Sequence, residues 1–197
     1  MRIEFISKRN RVYMNDGIVF KDCQNHETAM FEARFLQQLE RKGVAVPKVL
    51  NVDGAVLSTE YIKGKPLPEF LSEQEAVSHC RAVADAIAYW FECFYAAVGY
   101  RTTAEIRGDV NGRNFIVSNE SIFSVDFETH AYGKQDTDFG RLLAFIATYS
   151  YNNKDAQKKL EDLLFHCFIK SFSVSGDTLS AEKAKELKEM EKRRKNP

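Results

Sequence analysis

Short segments with alternating apolar positions dominate the first sixty residues and predict β-strands. Ile3 and Phe5 form one such segment and Val12 and Met14 another, with Ser7 to Arg11 as the turn between them. Further strands are expected at 18–20, 47–52 and 55–62, with tight turns at Asp16-Gly17 and Asp53-Gly54. The N-terminal part is therefore expected to be mainly a β-sheet.

A helical period interrupts these strands once and then dominates the rest of the chain. Asn25 is a suitable N-cap for a helix that runs to about Lys42, and Gly43 is a suitable residue to end it. From Ser72 onward the pattern is mainly helical, apart from two short strands at 114–117 and 122–125. Further helices are expected near 138 and 155, and the charged segment 180–195 predicts a solvated terminal helix.

These patterns divide the chain into four parts. Residues 1–62 are expected to form one lobe, 63–68 a hinge connection and 69–176 a helical lobe, followed by a charged helix or tail over 177–197. The length of 197 residues suits one domain or two lobes that share a cleft.

Composition narrows the function classes. Lys plus Arg and Asp plus Glu each number 28, so the balance gives no global attraction to nucleic acid or an anionic membrane. The most apolar stretch, 82–99, is interrupted by Asp85 and Glu92 and suits a core helix better than a membrane span. The four cysteines lack metal-ligand or disulfide spacing, which favours reduced thiols in a cytoplasmic protein. The composition therefore argues against membrane association and against nucleic acid as a partner.

The stretch 107–128 carries the most chemical information. Gly108, Asp109 and Asn114 form G-D-x-x-x-x-N, and two short strands later the chain reads D-F-E from Asp126 to Glu128. In phosphoryl transfer a carboxylate orients the acceptor hydroxyl, while a side-chain amide and a second carboxylate hold metal ions on the phosphates. A hairpin between the two motifs would return Asp126 to the side of Asn114.

This stretch resembles the catalytic and metal-binding loops of the aminoglycoside phosphotransferase-like branch of the kinase superfamily, which carries H-G-D-x-x-x-x-N and then I-D-F-E. The resemblance implies an α+β, bilobal protein kinase-like fold with a small β-sheet lobe containing one helix and a mainly helical C-terminal lobe. It also implies that Asp109 is the catalytic aspartate, that Asn114 and Asp126 are magnesium ligands, and that ATP and Mg²⁺ are the cofactors.

Other segments fit the same resemblance in the same order. Lys21, on the strand after Asp16-Gly17, resembles the phosphate-binding lysine, and Glu32 resembles its helix partner, with Glu27 as the alternative. The segment 57–67 resembles the hinge, where the carbonyl of Glu60 and the N–H of Ile62 would bind the adenine edge. Asp138 resembles the helix-start aspartate that braces the catalytic loop.

The chain also departs from the family pattern. The turn at 7–11 contains no glycine, so Ser7, Lys8 or Arg9 would have to replace backbone contacts to the phosphates. Arg107 stands where the family has histidine, and Asn111 stands where protein kinases often have lysine. Arg113 is expected to supply the missing positive charge.

Three functions follow from this pattern. The first is a kinase that transfers the γ-phosphate of ATP to a small-molecule hydroxyl, with acceptor contacts expected around Tyr132, Arg141 and Tyr149. The second is a minimal atypical protein kinase or ATPase, similar to the RIO kinases or the small kinase of the tRNA threonylcarbamoylation complex. Only 11 residues separate Asp126 from Asp138, too few for a conventional activation segment. The third is a nucleotide-binding pseudokinase scaffold. The oligomeric state is left open.

Overall fold

The computed structural model describes residues 2–5, 10–73, 75–119, 121–149 and 152–195. Its N-terminal part is a five-stranded antiparallel sheet in the order β1-β2-β3-β5-β4, with one helix. These elements are β1 (Arg2–Phe5), β2 (Arg11–Asn15), β3 (Ile18–Asp22), α1 (His26–Arg41), β4 (Val49–Asp53) and β5 (Val56–Glu60).

The remainder of the described chain is mainly helical. Its elements are β6 (Lys65–Pro66), α2 (Leu67–Leu71), α3 (Ala76–Val98), α4 (Tyr100–Thr103), β7 (Glu105–Ile106), a 3₁₀ turn (Gly112–Asn114), β8 (Phe115–Ser118), β9 (Ser121–Ser124), β10 (Ala131–Tyr132), α5 (Gln135–Thr148), α6 (Lys154–Phe172) and α7 (Gly176–Lys195). The β6, β8 and β9 strands form a small sheet, and β10 pairs with β7. The expected α+β arrangement, with strands first and helices later, is confirmed.

Local sequence signals account for several element boundaries. Asp16 and Gly17 both have positive φ values, 49° and 80°, as the tight turn between β2 and β3 requires. The Asn25 side chain caps α1 by accepting a hydrogen bond from the Thr28 N–H at 2.8 Å. Gly43, also at φ 80°, ends the turn that follows α1.

The two halves are joined through the loop before β4 and the centre of α3. Trp90 on α3 is buried among aromatic rings and donates its indole N–H to the Ala45 carbonyl at 2.9 Å. Ser124, at the end of β9, donates its backbone N–H to the same carbonyl at 3.1 Å. The small sheet is thereby fixed against the N-terminal half, so the segment after β9 returns to the boundary between the halves.

The terminal helix differs from the sequence expectation. It begins at Gly176 and lies along α5, with Leu179 completely buried. Its close approach is possible because Gly140 on α5 has no side chain, and a Cβ there would lie 2.7 Å from the Glu182 backbone carbonyl carbon. The segment is therefore a docked helix with one solvated face. Among the described helices, none combines the length and apolar character needed to cross a membrane.

Candidate active site

Lys21 lies on β3 and is surrounded by carboxylates. Its Nζ is 2.8 Å from Glu32 Oε2, 2.5 Å from Asp126 Oδ1 and 2.8 Å from Glu128 Oε1. Burial alone would lower the pKa of Lys21, but the neighbouring carboxylates outweigh that effect and raise its pKa above the usual value. The side chain is therefore a largely buried ammonium ion, 13% exposed, with its charge compensated.

Glu32 lies on the buried face of α1, and only 2% of the residue surface is exposed. One carboxylate oxygen contacts Lys21, and the other accepts the Phe127 backbone N–H at 2.9 Å. Burial raises the pKa of Glu32, whereas the Lys21 ammonium and the Phe127 N–H act to lower it. Glu27, the alternative considered from the sequence, is exposed in the first turn of the same helix.

The Asp138 side chain fixes the backbone of the loop around Asp109. Its carboxylate is buried near the start of α5 and accepts the backbone N–H groups of Arg107 at 2.7 Å and Gly108 at 2.9 Å. The Tyr95 hydroxyl donates to the same carboxylate at 2.8 Å. Burial raises the pKa of Asp138, and these three hydrogen bonds oppose that shift. The segment leading into Asp109 is thus fixed by charge-assisted hydrogen bonds.

Gly108 is required for the shape of this loop. It has φ 75°, and an added Cβ would lie 2.4 Å from the Ala131 side chain. Two residues after Asp109, the Asn111 side chain accepts the Arg113 N–H at 3.0 Å and starts the 3₁₀ turn. That turn ends at Asn114, whose side-chain amide donates to the Asp109 carbonyl at 3.4 Å. Asp109 and Asn114 therefore lie on one compact loop.

The β8–β9 hairpin returns the chain to this loop. The Val125 backbone N–H donates to the Asn114 carbonyl at 2.9 Å, which places Asp126 directly beside the 3₁₀ turn. Asp126 has φ 68°, an unusual value for a residue other than glycine, and such strain is concentrated at functional sites. Its side chain is 43% exposed, so the carboxylate can still reach a ligand.

Arg107 connects the two loops. The residue is 3% exposed, and its Nη2 donates to the carbonyls of Val125 and Asp126, both at 2.7 Å. The guanidinium carbon also lies 4.0 Å from the centre of the Phe127 ring. Burial lowers the pKa of Arg107, while nearby carboxylates, Asp109 first, act in the opposite direction. From the sequence, Arg107 is a departure from the family histidine that can still brace a loop by hydrogen bonds, and these contacts are of that kind.

The D-F-E motif also contains Glu128, to which the sequence assigned no role. Glu128 closes the D-F-E segment, contacts Lys21 and accepts a hydrogen bond from the Asn10 side chain. Glu32, Asp126 and Glu128 each offer a carboxylate oxygen within 4.8 Å of the others. Hard oxygen donors of this type, together with the Asn114 amide oxygen, fit the ligand preference of Mg²⁺.

The expected hinge residues lie at the end of β5. The Glu60 backbone N–H donates to the Lys48 carbonyl at 2.9 Å, and its carboxylate accepts the Lys48 N–H at 3.0 Å. The Tyr61 N–H points in the opposite direction and donates to the Gly17 carbonyl on the β3 side at 3.0 Å. Because the N–H and carbonyl of one strand residue point to the same side, the Glu60 carbonyl faces away from β3, and Ile62 lies two residues beyond the end of β5.

The other residues singled out from the sequence lie partly inside and partly outside the described part of the chain. Ser7, Lys8 and Arg9 lie outside the described residues. Three residues expected near the acceptor are described. Arg141 donates to the Gly108 carbonyl at 2.9 Å, and the Tyr149 hydroxyl accepts from Arg113 at 2.9 Å. Tyr132 lies on β10, is 66% exposed and stacks with His130. Arg141 and Tyr149 thus adjoin the Asp109 loop directly.

Two proteins of known identity share sequence with much of this chain. A "probable bifunctional tRNA threonylcarbamoyladenosine biosynthesis protein" of Methanothermobacter thermautotrophicus is 24% identical over 164 residues, which are 82% of this chain and 27% of that protein. The "KEOPS complex subunit Bud32" of Pyrococcus abyssi is 30% identical over 129 residues, which are 63% of this chain and 52% of that protein. This chain therefore spans about a quarter of the length of the first relative and about half of the length of the second.

The fold has a clear counterpart among solved structures. The ADP-bound crystal structure of the aminoglycoside phosphotransferase APH(2'')-Ib superposes with a TM-score of 0.63. The alignment covers 94% of this chain and 81% of that chain at 13% sequence identity, a level that bears on the fold alone. The bilobal kinase-like architecture expected from the sequence is confirmed.

The family assignment comes from the sequence itself. The RIO domain family matches residues 8–137, about two thirds of the chain. This match includes the segments that bear Lys21, Glu32, Asp109, Asn114 and Asp126. It confirms the expected place in the kinase-like superfamily, and the matching family is that of the RIO kinases, which the sequence analysis named as the alternative to the aminoglycoside phosphotransferase-like branch. The chain belongs to the RIO domain family.

Proposed function

We propose that this protein is an ATP- and Mg²⁺-dependent phosphotransferase that transfers the γ-phosphate to a hydroxyl group. The observation that carries the proposal is the convergence of Lys21, Glu32 and Asp126, which come from β3, α1 and the segment after β9. A largely buried ammonium ion beside a carboxylate that remains partly exposed is suited to a triphosphate bound with a divalent cation. Membership of the RIO domain family and the ADP-bound structural neighbour support the same activity.

The positions of these residues support one proposed role for each. Lys21 would contact the α- and β-phosphates, with Glu32 holding its ammonium group in place. Asn114 and Asp126 would hold Mg²⁺, which would neutralise charge on the phosphates. Nucleotide binding then requires Lys21 to exchange its contacts with Asp126 and Glu128 for phosphate oxygens, while its contact with Glu32 is retained.

Asp109 is proposed to orient the acceptor hydroxyl and accept its proton. The backbone on both sides of it is fixed, by Asp138 before it and by the Asn111-capped turn after it. Positioning of this kind contributes a large part of the rate enhancement in phosphoryl transfer. Arg113, held by Tyr149, lies on the same loop and is proposed to contribute positive charge near the transferred phosphate. The Glu60 carbonyl and the Ile62 N–H are proposed to bind the adenine edge.

Two variants separate binding from transfer. Asp126→Ala is expected to abolish Mg²⁺-dependent ATP binding while the fold is retained, as measured by calorimetry and circular dichroism. Asp109→Asn is expected to bind Mg-ATP normally and to stop transfer. Asp162→Asn, which changes an exposed carboxylate on α6, is the matched control and should alter neither property. Normal Mg-ATP binding by Asp126→Ala or normal turnover by Asp109→Asn would contradict the assigned role.

The acceptor is proposed to be a small-molecule hydroxyl, and an atypical protein kinase or ATPase is the second candidate. The structural neighbour named as an aminoglycoside phosphotransferase favours the first. The relative named as a KEOPS complex subunit favours the second and suggests that this chain acts with a protein partner. ADP release measured against a panel of sugars, amino-alcohols and aminoglycosides should identify a small acceptor. Labelled phosphate incorporated into protein, and absent from Asp109→Asn, would select the second candidate.

A nucleotide-binding scaffold is the third proposal to be tested. The sequence of residues 7–11, which contains no glycine, is the feature that favours it. Stabilisation by Mg-ATP without any turnover, in the presence of the acceptor panel and of added protein substrates, would select this reading. A cytoplasmic location is proposed from Cys23, Cys80, Cys93 and Cys167, all of which are free thiols in the structure.

A further inference from the structure

The backbone immediately before Asp109 makes a tight turn. The Asp109 N–H donates to the Arg107 carbonyl at 2.9 Å, which closes a turn of three residues around Gly108. Gly108 has φ 75°, and a three-residue turn with this positive φ belongs to the rare and strained form of the γ-turn. Strained backbone of this kind persists only where the surrounding structure holds it. The contacts made by the peptide groups of Gly108 therefore fix the backbone from which the Asp109 side chain projects.

Two side chains of α5 hold this turn. Asp138 accepts the backbone N–H groups of Arg107 and Gly108, as described above. Arg141, three residues later on the same helix, donates from Nη1 to the Gly108 carbonyl at 2.9 Å. Residues three apart are neighbours on the surface of a helix, so both contacts come from one face of α5. The N–H and the carbonyl of Gly108 are thus each held by an α5 side chain.

Arg141 is in turn held by the terminal helix. Its Nε lies 3.6 Å from Glu186 Oε2 on α7, and the Glu186 side chain is only 15% exposed. The same carboxylate accepts a hydrogen bond from Arg193, which fixes its position on α7. The Arg141 side chain is 39% exposed, so without Glu186 it could adopt other orientations in solvent. The ion pair therefore keeps the guanidinium directed toward the Gly108 carbonyl.

The pair formed by Arg141 and Glu186 lies within the packing contact between α5 and α7. On one side of the pair, Gly140 leaves room for the backbone of α7. On the other side, the Thr148 hydroxyl donates to the Met190 sulfur at 3.6 Å. Arg141 and all of α7 lie beyond residue 137, where the match to the RIO domain family ends. This support of the Asp109 loop therefore comes from a part of the chain outside the matched segment.

We propose that Arg141 is a positioning residue for Asp109 and that Glu186 holds Arg141 in place, so that the terminal helix takes part in phosphoryl transfer. The proposal rests on the proposed function, in which Asp109 orients the acceptor hydroxyl. Arg141 acts through the backbone, because it holds the strained turn whose last residue is Asp109. A displacement of about 1 Å can lower the rate of an enzyme about a hundredfold. Loss of this support should therefore lower kcat and leave the affinity for Mg-ATP unchanged.

The test separates turnover from nucleotide binding. Arg141→Met retains most of the side-chain length but removes the donors, and it is expected to lower kcat for ADP release about tenfold or more with the most active acceptor of the panel. The dissociation constant of Mg-ATP, measured by calorimetry, and the KM for Mg-ATP should be unchanged. Arg141→Lys retains the charge and one donor group and should lose less of kcat than Arg141→Met. Unchanged kcat in Arg141→Met, or an equal loss of Mg-ATP affinity, would overturn the proposal.

The link through Glu186 is tested with a double variant. Glu186→Ala should lower kcat in the wild type but have no further effect in Arg141→Met, because it acts through Arg141. Glu191→Ala, which changes an exposed glutamate on the same helix, is the matched control and should leave kcat unchanged. Additive losses from Glu186→Ala and Arg141→Met would contradict the role of Glu186.

Hydrogen exchange of the Gly108 and Asp109 amides gives a second readout that does not depend on turnover. Both amides should exchange faster in Arg141→Met and in Glu186→Ala, because the turn that contains them opens more easily. Amides of the N-terminal sheet should exchange as in the wild type, and Arg141→Lys serves if Arg141→Met does not fold. A wild type without turnover would contradict the proposed function. Unchanged exchange of the two amides would instead contradict the role of Arg141, whether or not the wild type turns over.

Discussion

Lys21 is held by carboxylates from two segments that are distant in sequence, Glu32 on α1 and the pair Asp126 and Glu128 after β9. A lysine buried to this extent would be costly if it were unpaired. The pairing compensates its charge and fixes the ammonium group where the phosphates are proposed to bind. The contribution of Glu32 can be separated from that of a neighbouring glutamate on the same helix.

Glu32→Ala is expected to lower the free energy of unfolding by about 2–4 kcal/mol. Removing one partner of a buried ion pair costs about 3–5 kcal/mol, and here Lys21 keeps two other carboxylates. The Phe127 N–H would also lose its acceptor. Glu27→Ala is the control on the same helix and should cost less than about 1 kcal/mol, through the helix dipole. Urea unfolding measures both, and equal losses would contradict the assigned pairing.

Arg107→Lys is expected to weaken Mg²⁺-dependent ATP binding by about tenfold or more, the range typical of residues that position metal ligands. A lysine ammonium cannot reproduce the planar guanidinium that stacks on Phe127 and donates to the Val125 and Asp126 carbonyls. The left-handed backbone of Asp126 would lose its support. Titration of Mg²⁺ at fixed ATP measures the effect. Arg101→Lys, an exposed arginine on α4, is the control, and identical Mg²⁺ dependence in both variants would refute this role.

At the scale of elements, α5 connects the Asp109 loop to the terminal helix. Arg141 donates to the Gly108 carbonyl, and its Nε is 3.6 Å from Glu186 on α7. One residue earlier, Gly140 allows the backbone of α7 to approach. The packing of α7 therefore affects the position of Arg141, the residue that contacts the Asp109 loop.

Gly140→Ala is expected to destabilise the protein by about 1–3 kcal/mol, the usual cost of overpacking. Alanine favours a helix over glycine by about 1 kcal/mol, so a decrease in the free energy of unfolding of Gly140→Ala would come from the clash with Glu182. Gly176→Ala is the matched control, because its added Cβ would meet neighbours only at 3.6 Å and beyond. Urea unfolding of both variants measures the difference. A gain in stability for Gly140→Ala would show that α7 does not pack closely on α5.

At the scale of the whole molecule, contacts between the two halves surround the proposed site. Glu32 accepts the Phe127 N–H, Lys21 contacts Asp126, and the Trp90 indole N–H binds the Ala45 carbonyl. A ligand that bridges Lys21 and Asp126 would therefore bind across the boundary between the halves. Such a ligand stabilises the folded chain as a unit, because the unfolded chain has no such site.

Mg-ATP at about one hundred times its dissociation constant is expected to stabilise the protein by about 2.7 kcal/mol. For a domain of this size that corresponds to a rise in the melting temperature of roughly 5–11 °C. ATP with EDTA should give a smaller rise, and Asp126→Ala should lose the difference between the two conditions. Thermal unfolding monitored by circular dichroism measures each case. Equal melting temperatures with and without Mg²⁺ in the wild type would contradict the proposed metal ligands.

Much of the local structure could be predicted from the sequence, because each signal acts over a few residues. Asp16-Gly17 fixes a turn through backbone dihedral preference, and Asn25 starts α1 through one side-chain hydrogen bond. The spacing from Asp109 to Asn114 predicts a loop. The two short strands before Asp126 predict a hairpin that returns to this loop. The order of strands and helices, and the family resemblance, followed from such patterns.

Contacts between distant segments were decided only by the tertiary structure. Whether Glu32 or Glu27 faces Lys21 depends on how α1 is rotated against the sheet, and the role of Arg107 depends on carbonyls 18 and 19 residues away. The docking of α7 depends on the space left by Gly140. Periodicity specifies which faces of an element are apolar. The partner that each face meets is set by the packing of the whole chain, because it depends on the volume and position of every other side chain.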